Sequence, residues 1–222
     1  DVLLQEDWTY ATLRKLQVEG NQAEINRLFD HPYHELTPTK LPGGRLVVRL
    51  ADEVQAESFT LDLASAVGQV QLGKQNLRCF FSAMEPIAMM RFPGKSAGLE
   101  ILRPKGLDKL EYTPGVFGRE GNLSWMFQKA AMGLEYAIVV GRREMESETE
   151  LAIAIATNSD GNDPLSLARE RVEAALAKGY SETFAAHQSW WEDFWDISAV
   201  KIPDPRLQQH YDLVKYFYGA AS

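Results

Sequence analysis

Neighbouring acids near both ends of the chain are the residues whose types suit acid–base chemistry. Glu6 is followed by Asp7, and Glu192 is followed by Asp193. Acid–base catalysis by paired carboxyl groups needs the two groups to face each other across the reacting bond. Neighbours on a helix point about 100° apart, so neither pair is arranged for this reaction. We interpret both pairs as solvated charge and expect no catalytic residue within this chain.

The histidines and the single cysteine are the other residues that could bind a metal or act as a nucleophile. His31 and His34 have a spacing that two metal ligands could use, but no cysteine or acidic cluster completes a tetrahedral set. His187 and His210 lie on predicted helices among aromatic residues, where a packed, hydrogen-bonded histidine is expected. Cys79 lies in an apolar strand pattern, which indicates a core thiol rather than a nucleophile. No phosphate-binding glycine loop occurs, and we expect neither a metal nor a cofactor.

Aromatic residues cluster near the end of the chain. Trp190, Trp191 and Trp195 are three of the five tryptophans, and Phe194 lies among them. On a helix these side chains cover one broad side, and each can bury roughly 150–250 Å². We predict that this helix packs against the rest of the chain. We also predict that the four residues, together with Tyr211, form an interface with a further domain.

Exposed aromatic side chains can also bind sugars by stacking on their faces. Trp125 lies in a strand-like run, Leu123-Ser124-Trp125-Met126-Phe127, and is expected in the core. Trp8 follows two acids near the start of the chain and could face a further domain. Trp8 is therefore kept as the weak candidate for a substrate-binding residue.

The pattern of the elements changes twice along the chain. Residues 7–29 have helical spacing with a break at Gly20-Asn21. From residue 45 to 157, short alternating runs are separated by proline and glycine turns, with no helix between them. Such a region predicts an antiparallel sandwich rather than a βαβ sheet. Within it, Gly141-Arg142-Arg143 is expected to end a strand as a turn with solvent-facing charge.

The last quarter of the chain is predicted to be helical. Asp163 can cap a helix that has Pro164 at its first position, and Gly179 closes that helix. The tryptophan helix follows, then an extended link, and Asp204-Pro205 begins a third helix. The third helix is apolar nearly all round, as is typical of helices buried among other helices. We therefore expect a helical domain to continue beyond it.

Composition excludes some partners. The net charge of -8 argues against a nucleic-acid or anionic-membrane surface, and no apolar run approaches the roughly 20 residues that cross a bilayer. One cysteine rules out an internal disulfide framework. We expect a soluble protein. No signal peptide opens the chain, but Asp1 need not be the native start, so export of the full-length protein stays open.

An ordered series of segments resembles glycoside hydrolase family 95 and its relatives. Three segments resemble the junction between the family's two domains: His187-Gln-Ser-Trp-Trp-Glu-Asp-Phe-Trp, Ile202-Pro-Asp and Tyr216-Phe-Tyr-Gly-Ala-Ala-Ser. Leu3-Leu4-Gln5-Glu6-Asp7-Trp8 resembles the family's Leu-Asn-Glu-Asp-x-Leu-Trp stretch, with Gln5 where asparagine is usual. Thr60-Leu61-Asp62-Leu63 and Phe80-Phe81-Ser82-Ala83-Met84 resemble strands of its sandwich.

The resemblance implies an N-terminal β-sandwich joined through helices to an (α/α)6 barrel that carries the catalytic carboxylates. It implies a supersandwich-like, mainly β domain over residues 1–158, a helical linker over 159–203 and the first barrel helix over 204–222. The chain would then be a non-catalytic part of a glycoside hydrolase resembling inverting α-L-fucosidases, which meets its carbohydrate substrate through the barrel. Two alternatives stay open: the N-terminal domain of a related disaccharide phosphorylase, and a stand-alone sandwich that binds a glycan or a protein.

Overall fold

A computed structural model describes residues 6–34, 42–50 and 54–221, which divide into two compact units, Asp1–Pro42 and Gly43–Ser222. In the first unit, helix α1 spans Tyr10–Val18 and α2 spans Gln22–Ile25. The α2 helix runs on into a π turn at Asn26–Asp30 and a 3-10 turn at His31–Tyr33. The resemblance at Leu3, Leu4 and Gln5 lies outside the described residues.

The described part of the second unit contains ten antiparallel strands. They are β1 Arg45–Leu50, β2 Ala56–Asp62, β3 Val67–Leu72, β4 Gln75–Phe81, β5 Ala88–Pro93, β6 Ser96–Leu102, β7 Val116–Glu120, β8 Leu123–Lys129, β9 Glu135–Glu144 and β10 Glu148–Thr157. Eight of them form one sheet in the order β2-β3-β4-β5-β10-β9-β8-β7, and β1 pairs with β6 in a second sheet. Every pairing between described strands is antiparallel.

Four helices complete the second unit: α3 Lys105–Lys109, α4 Pro164–Lys178, α5 Tyr180–Asp196 and α6 Pro205–Ala220. The predicted fold class, a mainly β antiparallel sandwich with flanking helices, is confirmed. The expectation of no helix within the strand region is wrong in one place, because α3 connects β6 to β7. The predicted division at residues 158 and 203 stays a prediction.

Two apolar layers lie on opposite faces of the large sheet, as period-2 alternation requires. One face meets β1 and β6 around a cluster of Phe92, Ile101, Met126, Tyr136, Ile138, Val140 and Leu151. The other face meets α4 and α5 around Phe80, Met89, Leu123, Val139, Ala152, Ala168, Val172, Leu176 and Tyr180. The helix α4 approaches closely at Gly141, where an added Cβ would lie 2.4 Å from Val172 Cγ1. Gly141 was expected in a turn, but it lies within β9 and lets α4 pack closely on the sheet.

Arg143 joins β9 to the turn between α4 and α5. Its guanidinium donates to Leu176 O at 2.6 Å and to the buried Glu150 Oε2 at 2.5 Å. The same Glu150 oxygen accepts from Tyr180 N at 3.3 Å, at the first residue of α5. The expectation of a turn at Arg143 is wrong, since β9 continues to Glu144. The arginine binds α4 directly and α5 through Glu150.

Candidate functional site

Helix α5 is fixed to the sheet by His187. The imidazole is fully buried and packs on Phe80 with ring centroids 4.6 Å apart. Its Nδ1 accepts from Ala83 N at 3.2 Å, and its Nε2 is 2.8 Å from Ser65 O. A backbone N–H only donates and a carbonyl only accepts, so the proton lies on Nε2 and the ring is neutral. Burial lowers the pKa of His187 in keeping with this neutral form.

The predicted interface residues on α5 form one aromatic cluster. Trp191 is buried, with 3% of its surface exposed, whereas Trp190, Phe194 and Trp195 are half-buried. Trp190 and Phe194 stack with ring centroids 5.4 Å apart and planes 6° apart. Trp195 Nε1 donates to Leu63 O at 3.1 Å, beyond the end of β2. The end of α5 is thus tied to the sheet through an indole hydrogen bond.

Helix α6 packs on this cluster at Gly219, where the helix has no side chain. A Cβ at Gly219 would come within 2.8–2.9 Å of the rings of Trp191 and Phe194, so the helix backbone rests directly on aromatic carbon. Tyr216 stacks on Trp191 at 5.4 Å. Lys215 Nζ donates to Trp195 O at 3.0 Å and lies 4.9 Å from the ring centroid of the same residue. The ammonium therefore satisfies a carbonyl at the end of α5 while resting on its aromatic surface.

The apolar side of α6 faces away from the described chain. Five side chains on that side are exposed: Leu207 59%, Leu213 37%, Val214 49%, Phe217 59% and Tyr218 74%. At about 100° per residue they span an arc of about 140°, and the half-buried Tyr211 lies at its edge. The exposed Arg206 and His210 fall within the same arc, so the packed position expected for His210 is wrong. The opposite side, which contacts α5, carries Gln208, Asp212, Lys215, Tyr216 and Gly219. A surface helix normally has the reverse arrangement, with its apolar side inward. We call the five exposed residues the α6 outer face.

The structure places Trp8 in the first unit. Its ring stacks with Phe29 at 6.3 Å and meets Tyr33 at 6.0 Å. Its Nε1 is buried and has no hydrogen-bond partner among the described residues. One face of the indole is therefore occupied by the chain itself. Its role as a substrate-binding residue stays a prediction.

The candidate acids and ligands remain separate in the structure. Glu6, Asp7, Glu192 and Asp193 are all exposed, and Glu192 accepts a hydrogen bond from the side chain one turn before it. Within the described ranges, no group of three or more His, Cys, Asp or Glu side chains could hold a metal ion. Nor does any described helix have the length and apolar character that a membrane span needs.

Trp125 and Cys79 occupy packed positions. The ring of Trp125 lies against Gly118 on the neighbouring strand and under the guanidinium of Arg169, whose Cζ is 4.3 Å from the ring centroid. An aromatic ring across from an edge-strand glycine compensates for its missing side chain. Cys79 is half-buried, and burial raises the pKa of its thiol, which works against nucleophilic character.

Comparison with known proteins finds similarity among solved structures. No family model matches the chain, and no curated protein matches it. The chain is similar to a solved structure named "Putative kojibiose phosphorylase from human microbiome", with 13% sequence identity and a TM-score of 0.43. The similarity covers 68% of this chain and 27% of that chain, so this chain spans well under half of that protein's length.

Proposed function

We propose that this chain is the non-catalytic portion of a larger carbohydrate-active enzyme, and that the α6 outer face packs against the helical domain that performs the chemistry. The observation that carries the proposal is the inverted orientation of α6, whose apolar side faces away from the described chain. The ordered sequence resemblance at residues 187–222 supplies the identity of the expected partner, a barrel of helices.

The energetics favour a covered face. Fully burying one Val, Leu or Phe side chain contributes about 1.5–3 kcal/mol relative to leaving it exposed, and the α6 outer face presents five large side chains in one stripe. Contiguous apolar patches of this kind mark interaction surfaces. The ends of α5 and α6 are also held firmly by Trp191, Lys215 and Gly219, so the face is rigid before it meets a partner, which lowers the entropic cost of docking.

The chemistry is assigned to the partner domain because the four candidate acids, Glu6, Asp7, Glu192 and Asp193, are all exposed. By the sequence resemblance, the complete enzyme is an α-L-fucosidase-type hydrolase that inverts configuration. One carboxylic acid of the barrel protonates the leaving oxygen, and a second carboxylate activates water. In the disaccharide phosphorylase alternative, inorganic phosphate takes the place of that water.

The activity test compares this 222-residue chain with the product of the whole gene. Both are assayed on aryl α-L-fucosides and on a panel of related glycosides and disaccharides, with and without inorganic phosphate. We expect no turnover by the short chain and phosphate-independent turnover by the whole product. Phosphate-dependent turnover would select the phosphorylase. Turnover by the short chain, or an inactive whole product across the panel, would contradict the proposal.

The docking test uses two matched substitutions. Phe217→Asp introduces a charge into the α6 outer face, and Phe117→Asp introduces the same charge at an exposed position of β7. In the short chain, both should change the free energy of unfolding by no more than about 0.5 kcal/mol, as is usual at exposed sites. In the whole product, only Phe217→Asp should lower the unfolding temperature and the activity. Equal effects of the two substitutions would refute the docking surface.

A further inference from the structure

A row of five polar side chains crosses the helix-facing side of the large sheet. Cross-strand pairing links Gln69 to Arg78, Arg78 to Arg91, Arg91 to Glu150 and Glu150 to Arg143. Directly paired residues lie on the same face of a sheet, so the five side chains form one line across β3, β4, β5, β10 and β9. Three of the five are arginines.

The charges in this row do not balance locally. The carboxylate of Glu150 is occupied by Arg143 and by the amide of Tyr180. Among the described residues, Arg91 forms an ion pair with Glu148 alone, with Nε and Oε2 3.7 Å apart. No carboxylate of the described residues forms an ion pair with Arg78. Two like charges directly opposite each other in a sheet are destabilising, so the Arg78–Arg91 pair is a local cost that the fold alone does not explain.

A cleft lies on each side of the arginine pair, and both clefts include the two guanidinium-bearing residues. The first, of about 380 Å³, lies beside α5 and is lined by polar groups that include Asp62, Gln69, Ser181 and Gln188. The carboxylate of Asp62 already accepts hydrogen bonds from Ala64 N and the hydroxyl of Ser65. The second, of about 300 Å³, lies beside the β3–β4 and β9–β10 turns and is lined by Gln75, Asn76, Ser147 and Glu148 among others. The pair therefore lies in a groove rich in amides and hydroxyls, which also includes the carboxylates of Asp62 and Glu148.

One of the two guanidinium groups is already oriented. Arg91 Cζ lies 4.4 Å from the ring centroid of Tyr180, and a guanidinium that stacks on a ring keeps its N–H edges available. Burial raises the pKa of Tyr180 to about 12, so the phenol is neutral and adds no negative charge to the site. The aromatic ring of Phe184 lies in the same cleft and offers an apolar surface beside the charged groups.

We propose that this groove binds a saccharide carrying an anionic group, with the anion held between Arg78 and Arg91 and the hydroxyls met by Gln69, Gln188 and Ser181. Paired arginines bind carboxylate, sulfate and phosphate through charge-assisted, often bidentate hydrogen bonds. The anion part of the proposal rests on the charges of the row. The saccharide part rests on the proposed function.

The test titrates the 222-residue chain, by calorimetry at low salt, with four probes: a galacturonate trisaccharide, glucose 6-phosphate, inorganic sulfate and neutral maltotriose. We expect saturable binding of the two anionic sugars, weaker binding of sulfate and none of maltotriose. Sulfate binding equal to that of the acidic sugars would overturn the saccharide part. Absence of saturable binding by every anion at millimolar concentration would overturn the whole inference. No assay of turnover enters, so the result is independent of the proposed activity.

The variant that decides is Arg78→Glu, because it replaces a like-charge pair by an opposite-charge pair with Arg91. Binding of the anionic sugars should fall at least about tenfold, as expected for losing hydrogen bonds to a charged group, while the unfolding temperature stays equal or rises. Arg49→Glu, an equal charge change at an exposed site on β1, should leave binding nearly unchanged. Equal weakening by both variants would show a nonspecific charge effect and refute the site.

Discussion

The stability of this chain should depend on pH through His187. The buried ring is neutral, and its pKa is lowered by burial, whereas in the unfolded chain a histidine has a pKa of about 6.5. Below about pH 6.5 the unfolded chain therefore binds a proton that the folded chain does not. The free energy of unfolding should then fall as pH decreases, by up to about 1.4 kcal/mol per pH unit, until the folded-state pKa is reached.

The matched variant is His187→Phe, which keeps a ring against Phe80 but cannot titrate. It leaves Ala83 N and Ser65 O without their buried partner, and each such unmade hydrogen bond costs about 1–3 kcal/mol. We expect the variant to be about 2–6 kcal/mol less stable at pH 8. The difference in the free energy of unfolding between the variant and the wild type should shrink as pH falls from 8 to 5. Only the wild type loses stability at low pH, because its buried ring must stay unprotonated while the unfolded chain binds the proton.

The assay is urea unfolding followed by tryptophan fluorescence at several pH values. The other three histidines are present in both proteins, so their titration cancels in the difference. A stability difference that stays constant from pH 8 to 5 would refute the assignment of a neutral, doubly hydrogen-bonded ring.

Two further substitutions test the packing. Gly179→Ala should destabilise by more than about 1 kcal/mol, since φ is +86° and the new Cβ would lie 2.4 Å from a guanidinium nitrogen. The control is Gly73→Ala, with φ of +60° and open space around the glycine, which should lose only the stability that a left-handed backbone conformation costs. Equal losses of stability in thermal unfolding of the two variants would contradict the close contact at Gly179. Trp191→Ala should cost about 3–5 kcal/mol as a buried aromatic, and Trp190→Ala, half-buried, should cost clearly less in urea unfolding. A reversed order would mean that α5 is packed on its other side.

Much of the helical region follows from local chemistry that the sequence displays. Asp163 and Asp204 accept hydrogen bonds from the first-turn amides of α4 and α6, and Gly179 adopts the positive φ expected of a closing glycine. The buried role of His187 also follows from its position among aromatic residues. These features depend on a few neighbouring residues, so a single sequence is enough to predict them.

The features that the sequence did not reveal depend on distant partners. Arg143 has the charge of a turn residue, and only the register of β9 with β10 brings it opposite Glu150. The orientation of α6 is similar. The sequence suggested a helix apolar nearly all round, whereas the side with Gln208, Asp212 and Lys215 faces α5, because Gly219 fits there on two rings. The Arg78–Arg91 pair likewise requires the β4–β5 register.

The strand order of the large sheet bears on how this chain folds. Strands β2 to β5 are successive neighbours, and so are β7 to β10, so each half of the sheet is a meander of local pairings. The halves meet at the β5–β10 pairing, where Ala88 pairs with Ile153. Local pairings form quickly and long-range ones slowly. Until β5 and β10 pair, each meander ends in an unpaired apolar strand. At this stage of folding the chain is most prone to pair with the wrong strand.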